Sequence, residues 1–357
     1  MIAPEALRAR DLVLSHGWNA TAYQIVNPGM SHWFSARGDA VVGYVCKHGV
    51  RVVAGSPVCA EERLADVVTE WEADTAARGH KVCYFGAAGR IKELLSAQPE
   101  YSTVVLGAQP VWTPARWEQI IARHASLRAQ MNRAHNKGVV VEEWPASRAT
   151  QNSELRRVLD EWLQTRGLPT LHFLVEPETL SFMEDRRVFV ASQNERAVGF
   201  VTLCPIPTRG GWLTEQFPRG FGAPNGTVEA LMNTAIESVA RENARYVTMG
   251  LVPLSTQGCL PEEENPAWLK LLLAWTRAHG RRFYNFGGLE TFKAKFYPDE
   301  WEAIYAISNE RRFSPRSLYA IAAAFTETSP FLAVACGASK ALKQEGRWLL
   351  SRVRGSA

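Results

Sequence analysis

Chemistry in this sequence concentrates in four short places. Lys293 and Lys295 stand two residues apart in FGGLETFKAKFYPDEWEAIY, Phe286 to Tyr305, among glycines, a proline and several aromatic rings. Two ammonium groups held on a rigid element suit a phosphate-bearing ligand; solvated lysines on a surface helix are the alternative. Glu215 lies in WLTEQF, where strand alternation puts it with Leu213 and Phe217 on an apolar face. A carboxylate so placed is expected to have a raised pKa and to act as a base, or to hold an ammonium group. A glutamate reaching solvent from an edge strand is equally compatible. PRGFGAPNGTVEALM, Pro218 to Met232, delivers a glycine-rich loop into a helix start, where backbone N–H groups and the helix dipole favour an anion. Capping by Asn225 or Thr227 accounts for the same residues. Glu229, in the first turn, answers the helix dipole. Finally, Pro114 to Lys137 reads as one long helix, begun by proline and ended by Gly138. Trp117, Ile120, Ile121, Leu127 and Met131 give it a buried stripe, and Arg128, Arg133 and Lys137 are among its cations. Such a helix either bridges two domains through solvent or lines a groove for phosphates.

The elements around these places follow one plan twice. Val41 to Val58 reads as two strands turning at His48-Gly49, followed by a helix from Arg63 to Arg78 and a strand from Lys81 to Phe85. Arg187 to Ile206 again reads as two strands, turning near Asn194-Glu195, and GGWLTEQF follows as a third. A helix from Thr227 to Asn243, a strand from Arg245 to Val252, a helix from Pro266 to His279 and a strand RFYNF from Arg282 to Phe286 complete the second half. Leu289, Phe292 and Phe296 then place the two lysines on a short helix, stopped by Pro298, before a closing strand, Trp301 to Ser308. Hairpin, helix, strand, helix, strand is the order of a GNAT-type acyltransferase fold. The expected architecture is therefore α/β, with two GNAT-like domains in tandem: residues 1–113, a long basic linking helix at 114–138, and a catalytic domain at 139–310. Two unrelated α/β domains would share the hydrophobic pattern.

Composition bounds the classes. With 357 residues, 46% apolar and 21% charged, the chain is globular and long enough for two cores. The six cysteines form no C-x-x-C pair and no zinc spacing, so reduced thiols of a cytoplasmic protein are expected, with no metal. No apolar run approaches the roughly 18 residues of a membrane span. The net charge of +4 is matched by the tail from Gly337 alone, where Lys340, Lys343, Arg347, Arg352 and Arg354 face only Glu345. Arg311, Arg312 and Arg316 precede the apolar stretch Leu318–Phe325. Residues 311–357 are thus expected to be basic amphipathic helices that dock on an anionic membrane surface or on RNA.

NFGGLETFKAKFYPDEWEAIYA resembles the closing motif of the C-terminal catalytic domain of bacterial phosphatidylglycerol lysyltransferases (aminoacyl-phosphatidylglycerol synthases, DUF2156). The matching residues are Gly288-Leu289, Phe292-Lys293-Ala294-Lys295-Phe296, Pro298 and Trp301-Glu302-Ala303-Ile304-Tyr305. APNGTVEALM resembles the family's Pro-Asn-Gly helix entry, with Glu229 where an acidic residue is usual. LRAQMNRAHNKG resembles its basic inter-domain helix, and SHWFSARGDAVVGYVCKHGVRVVAGSPV its N-terminal hairpin. The likeness runs from about Trp18 to Ile307. Two departures stand out: Gly55-Ser56-Pro57-Val58 lacks the usual acid of that turn, and the family's Asp-x-x-Arg is replaced by Glu215 with Arg219 one place late.

The resemblance implies transfer of an amino acid from aminoacyl-tRNA, the co-substrate, to a hydroxyl of phosphatidylglycerol or a related lipid, with no cofactor. It further implies a stand-alone member, without the membrane-spanning flippase region, peripheral at the inner face of the cytoplasmic membrane. Glu215 and Lys293 are then the expected catalytic residues. Arg219, Asn225, Gly226, Glu229, Lys295 and Tyr305 are expected to bind substrate, and Arg128, Arg133 and Lys137 to bind tRNA phosphates. The alternatives are a tRNA-dependent transferase acting on a small soluble acceptor, an N-acyltransferase using acyl-coenzyme A, and a non-catalytic RNA or lipid sensor. For the second of these, PRGFGAPNG meets the required glycine loop only loosely.

Overall fold

The computed structural model describes residues 3–166, 171–258, 265–279 and 286–326. The first half runs α1 (Pro4–His16), β1 (Ser31–Phe34), β2 (Val41–Lys47), β3 (Val50–Ala54), α2 (Leu64–Ala77), β4 (Lys81–Ala87), α3 (Gly89–Leu95) and β5 (Ser102–Trp112). Two helices, α4 (Trp117–Arg123) and α5 (Ala125–His135), lead into the second half. That half holds β6 (Val139–Trp144), α6 (Ala146–Ala149), α7 (Ser153–Gln164), β7 (Arg187–Gln193), β8 (Arg196–Ile206), β9 (Gly211–Thr214) and α8 (Thr227–Arg241). It ends with β10 (Tyr246–Thr248), β11 (Val252–Pro253), α9 (Ala267–His279), α10 (Phe286–Ala294), β12 (Glu300–Ser308) and α11 (Pro315–Ala324).

The repeated plan is visible in the pairing. In the first half β1, β2 and β3 pair antiparallel, and α2 crosses over to make β4 parallel to β3. In the second, β6, β7, β8 and β9 pair antiparallel, and α8 crosses over to make β10 parallel to β9. The two halves do not make separate sheets. The strand order is β1-β2-β3-β4-β12-β5-β10-β9-β8-β7-β6 in one open sheet of 12 strands, with β11 also on β5. β12, the last of the described strands, lies between β4 and β5 of the first half, and β5 in turn pairs with β10 of the second. A cut at residue 113 or 139 would therefore sever backbone ladders rather than a linker.

Core residues cover both faces of each half. Trp71, Tyr84, Ile91 and Ile307 pack under α2 and α3, while Trp112, Phe189, Leu231, Ile236 and Phe296 pack under α8. α8 is buried along Val228, Leu231, Met232, Ala235, Ile236 and Val239, the face its periodicity predicts.

Three expectations change. The helix expected over Pro114–Lys137 is broken at His124, which leaves helical geometry at φ −112° and ψ 91°. Tyr297 stacks on the His124 ring at 3.3 Å, and Arg128 donates to the carbonyls of Ile121 and Ala122 at 2.7 and 2.5 Å, so the break is capped from both sides. The strand expected over Arg245–Val252 divides into β10 and β11, both on β5, and the register on β5 slips by one residue across Gly250, which stands at φ +69°. The apolar stretch Leu318–Phe325 does not face outward as a lipid-binding surface. Most of it is α11, which lies on β2 and β3, with Ala320, Ile321 and Ala324 in the first half's core. The basic tail and most of the expected strand RFYNF lie outside the described residues. Among the described residues, no helix is long and apolar enough to cross a membrane, and no cluster of His, Cys, Asp and Glu could hold a metal ion.

Candidate active site

A cleft of about 830 Å³ opens in the second half, where α5, the end of α7, the loop between β9 and α8, the first turn of α8, and α10 meet. Local sequence explains its shape. The loop from Phe217 to Asn225 is pinned rather than free: Phe200 N–H donates to Pro218 O, Gly220 N–H to Val198 O, and Phe221 N–H to the Glu161 carboxylate at 2.8 Å. Gly226 caps α8 at φ +96°, and a Cβ there would sit 1.9 Å from the Gln130 carbonyl of α5. Only glycine lets the two helices approach so closely with this backbone. Of the first-turn N–H groups of α8, that of Thr227 donates to Pro224 O at 3.3 Å, while those of Val228 and Glu229 have no intrahelical acceptor, and both residues line the cleft with Asn225.

Charge enters from three sides. Arg133 comes from α5, Arg219 from the loop, and Lys295 from the turn after α10. The Lys295 ammonium is 2.7 Å from Glu229 Oε1 and 4.3 Å from the centre of the Phe292 ring. Phe217 meets Phe292 edge to face at 5.9 Å, and with Leu289, Val228 and Leu127 these rings form an apolar wall. Trp162 and the exposed Phe221 also line the cleft. The arrangement offers anion binding at a helix N-terminus, one carboxylate half-engaged by a lysine, and an apolar trough.

Arg133, Arg219, Asn225, Gly226, Glu229 and Lys295 thus meet at one cleft. Other residues expected from the sequence lie elsewhere. Lys293 is buried behind α10, and its ammonium donates to the carbonyls of Met249, Gly250 and Leu251 at 2.6, 2.9 and 3.1 Å. These carbonyls are free because β10 breaks there. Burial pushes the Lys293 pKa down to about 7, against the pull of the three carbonyl dipoles. Lys293 therefore clamps α10 to the split strand and presents no charge to the cleft.

Glu215 is likewise enclosed. Its carboxylate makes a two-point ion pair with Arg186, at 2.7 and 2.9 Å, and accepts from Gln24 at 3.0 Å. The side chains are 1% and 4% exposed. Burial acts to raise the Glu215 pKa, but the Arg186 charge and its hydrogen bonds prevail and hold it below the usual carboxylate range, opposite to the expected direction. Arg186 also donates to Asn27 Oδ1 and to Phe182 O. Gln24 and Asn27 precede β1, so this pair fastens the first half to the second.

Tyr305 sits on β12 in the first half's core, beneath α3, with the Lys92 ammonium 5.1 Å from its ring. Glu302 of the same motif is a partly buried partner of Arg209, Tyr246 and Gln109. Arg128 caps the broken helix, and Lys137 is exposed at the end of α5 without lining the cleft. Sequence reasoning missed Arg186, Glu161, Trp162 and Phe217. Nothing local marks Arg186, because its side-chain partners Glu215 and Asn27 stand 29 and 159 residues away. Phe217 could have been found, since it ends the strand that enters the glycine loop.

The family model for the C-terminal region of phosphatidylglycerol lysyltransferase matches residues 10–308. The phosphatidylglycerol lysyltransferase of Bacillus subtilis is 24% identical over 317 residues, which cover 87% of this chain and 35% of that protein. The chain thus spans about a third of the length of that curated relative. Among solved structures, the C-terminal DUF2156 domain of a putative lysylphosphatidylglycerol synthetase from Agrobacterium fabrum superposes with a TM-score of 0.77, at 21% identity, covering 92% of this chain and 98% of that one. L-PGS from Bacillus licheniformis gives 0.74 at 21% identity, covering 90% and 96%. These two show a shared α/β fold. With a family model spanning most of its length, the chain belongs to the phosphatidylglycerol lysyltransferase C-terminal domain family.

Proposed function

We propose that the cleft at the N-terminus of α8 transfers an aminoacyl group from aminoacyl-tRNA to a hydroxyl of phosphatidylglycerol or a related anionic lipid. The observation that carries this reading is the meeting of Arg133, Arg219 and Lys295 with an α8 N-terminus and an apolar trough. Phosphodiesters of both substrates need cations and backbone donors, and lipid carbon needs the trough. Membership of the family supports the reaction class.

An aminoacyl ester is already activated, so no covalent enzyme intermediate is needed. The acceptor oxygen attacks the ester carbonyl, the bond from that carbon to the ribose oxygen breaks, and the acceptor proton passes to the departing ribose oxygen. The enzyme's work is orientation and stabilisation of the oxyanion. The first-turn amides of α8 supply the donors. Arg133 and Arg219 hold phosphate, and the Glu229 oxygen not engaged by Lys295 receives the α-ammonium of the aminoacyl group. Glu215 and Lys293 act on this centre only through the scaffold: the first locks the two halves, the second fixes α10.

The test is an aminoacyl transfer assay with total tRNA charged with labelled amino acids and phosphatidylglycerol liposomes, with and without RNase. RNase-sensitive label in lipid is expected, reduced at least about tenfold in Arg219→Ala and Glu229→Gln. Label that leaves tRNA only when cell extract is added would replace the lipid with a soluble acceptor. No tRNA-dependent change would overturn the reading in favour of acyl-coenzyme A or a binding role.

A further inference from the structure

We propose that Glu161 is a positioning residue of the cleft: through the backbone amide of Phe221 it fixes the glycine loop so that Arg219 is held ready for a phosphodiester. The inference rests on the reading of Arg219 as a phosphate-binding residue, and it adds the device that keeps Arg219 in place.

The loop from Phe217 to Asn225 carries Gly220 and Gly222, and a Cβ at Gly222 would meet no heavy atom within 4 Å. Such a segment loses much conformational freedom when it is ordered, so its order has to come from specific bonds. Two lie at its base on β8, where Phe200 N–H donates to Pro218 O at 3.0 Å and Gly220 N–H to Val198 O at 2.9 Å. The third comes from α7. Glu161 Oε2 accepts from Phe221 N–H at 2.8 Å, and Oε1 accepts from Arg157 at 2.7 Å. Arg157 donates in turn to Ala197 O at 2.6 Å and to Glu154 at 3.0 Å. Because Ala197 and Val198 are neighbours on β8, strand, arginine, glutamate and loop form a closed circuit. The Phe221 ring is 66% exposed, so the amide rather than the side chain anchors the tip. The Phe221 amide first, and Arg157 after it, hold the Glu161 carboxyl below its usual range, which keeps it an ionised acceptor at neutral pH. Hydrogen bonds to a charged group are the stronger kind. Gly220 belongs to the same device. Its φ is not positive, so an alanine fits its backbone, but a Cβ there would stand 2.7 Å from Glu161 Oε2, against 3.6 and 3.8 Å from Val198 O and Arg157. Gly220→Ala therefore pushes the carboxylate off the amide and disturbs little else.

Hydrogen exchange tests the latch, and phosphodiester binding tests its purpose, both on the full chain. Exchange in the peptide covering residues 218–223 should be at least about tenfold faster in Glu161→Ala and in Gly220→Ala than in wild type. Glu161→Gln, which keeps an oxygen for the amide, should stay within about threefold. Unchanged exchange in Glu161→Ala would overturn the proposal. Two soluble phosphodiesters then distinguish the source of the ligand: glycerophosphoglycerol for the lipid head group, and the dinucleotide cytidylyladenosine for the acceptor end of tRNA. Each is titrated by ligand-observed NMR. For whichever binds in an Arg219-dependent way, Glu161→Ala should weaken binding at least about threefold, and by less than about twofold when Arg219→Ala is already present. Equal weakening in both backgrounds would make Glu161 a general support of the fold, and no weakening would show a loop indifferent to it; either result overturns the proposal and leaves Arg219 its role. Binding that does not depend on Arg219, or no binding of either probe, would instead remove the phosphate role of Arg219 and the proposal with it.

Discussion

Replacing Glu215 by glutamine separates scaffold from chemistry. In the folded protein the Arg186 guanidinium sits in a nearly closed space, held by both Glu215 oxygens, Asn27 and the Phe182 carbonyl. Glutamine keeps the volume but removes the charge, and its amide N–H₂ group points at guanidinium donors. Removing one partner of a buried pair leaves an uncompensated charge, typically about 3–5 kcal/mol. With an unfolding entropy of about 2.1 cal/mol/K per residue, a chain of this length has roughly 0.75 kcal/mol/K, so the melting midpoint should fall by about 4–7 °C. The pH dependence has a definite sign. A carboxylate whose folded pKa is depressed contributes stability above its unfolded pKa, about 4.3, and loses it as pH falls through the folded value. The gap between wild type and Glu215→Gln should therefore be full at neutral pH and close on acidification below about pH 4. The assay is calorimetry or fluorescence-detected melting of both proteins from pH 3 to pH 8, beside the transfer rate. Arg186→Met with Glu215→Met should recover most of the loss, because it removes both charges together. An unchanged midpoint with a hundredfold loss of turnover would refute this reasoning and return Glu215 to the role of base or ammonium holder.

Three further outcomes follow from the geometry. Between pH 7 and pH 10 an unfolded lysine keeps a proton that buried Lys293 sheds, so wild-type stability should rise by up to about 4 kcal/mol across that window; Lys293→Met should lack this rise in denaturant titrations at the two pH values. Gly226→Ala combines a left-handed backbone with a Cβ driven against the Gln130 carbonyl, and should cost about 2–4 kcal/mol in urea unfolding while displacing α5 from α8. Arg128→Ala removes two hydrogen bonds that close the end of α4, and should cost about 1–3 kcal/mol with no change in the salt dependence of tRNA binding; a slope reduced by about one would instead make Arg128 a phosphate contact.

Much of the architecture was legible along the chain because it depends on short-range pattern. The turn at His48-Gly49, the helix under Val67, Val68 and Trp71, and the glycine corner leading into α8 all come from periodicities within a dozen residues. The motif Phe286 to Tyr305 was recognisable as a unit, but its residues do not act as one. Phe296 packs in the second half's core, Lys295 reaches the cleft, Lys293 clamps a split strand, Glu302 pairs with Arg209, and Tyr305 belongs to the first half's core. Spacing shows that such residues occur together; it does not show which way each side chain faces once a helix ends and a strand begins.

By itself, the sequence determined the two α/β halves and the glycine-capped entry to α8. Those features need only local propensity and hydrophobic period. The tertiary structure alone decided that β12 would be inserted between β4 and β5, and that Arg186 would meet Glu215 across the two halves. It alone decided that, of Lys293 and Lys295, only Lys295 would reach the cleft. These outcomes depend on groups brought together from 29 residues apart or more, where burial and pairing set each charge's partner and no local signal announces it.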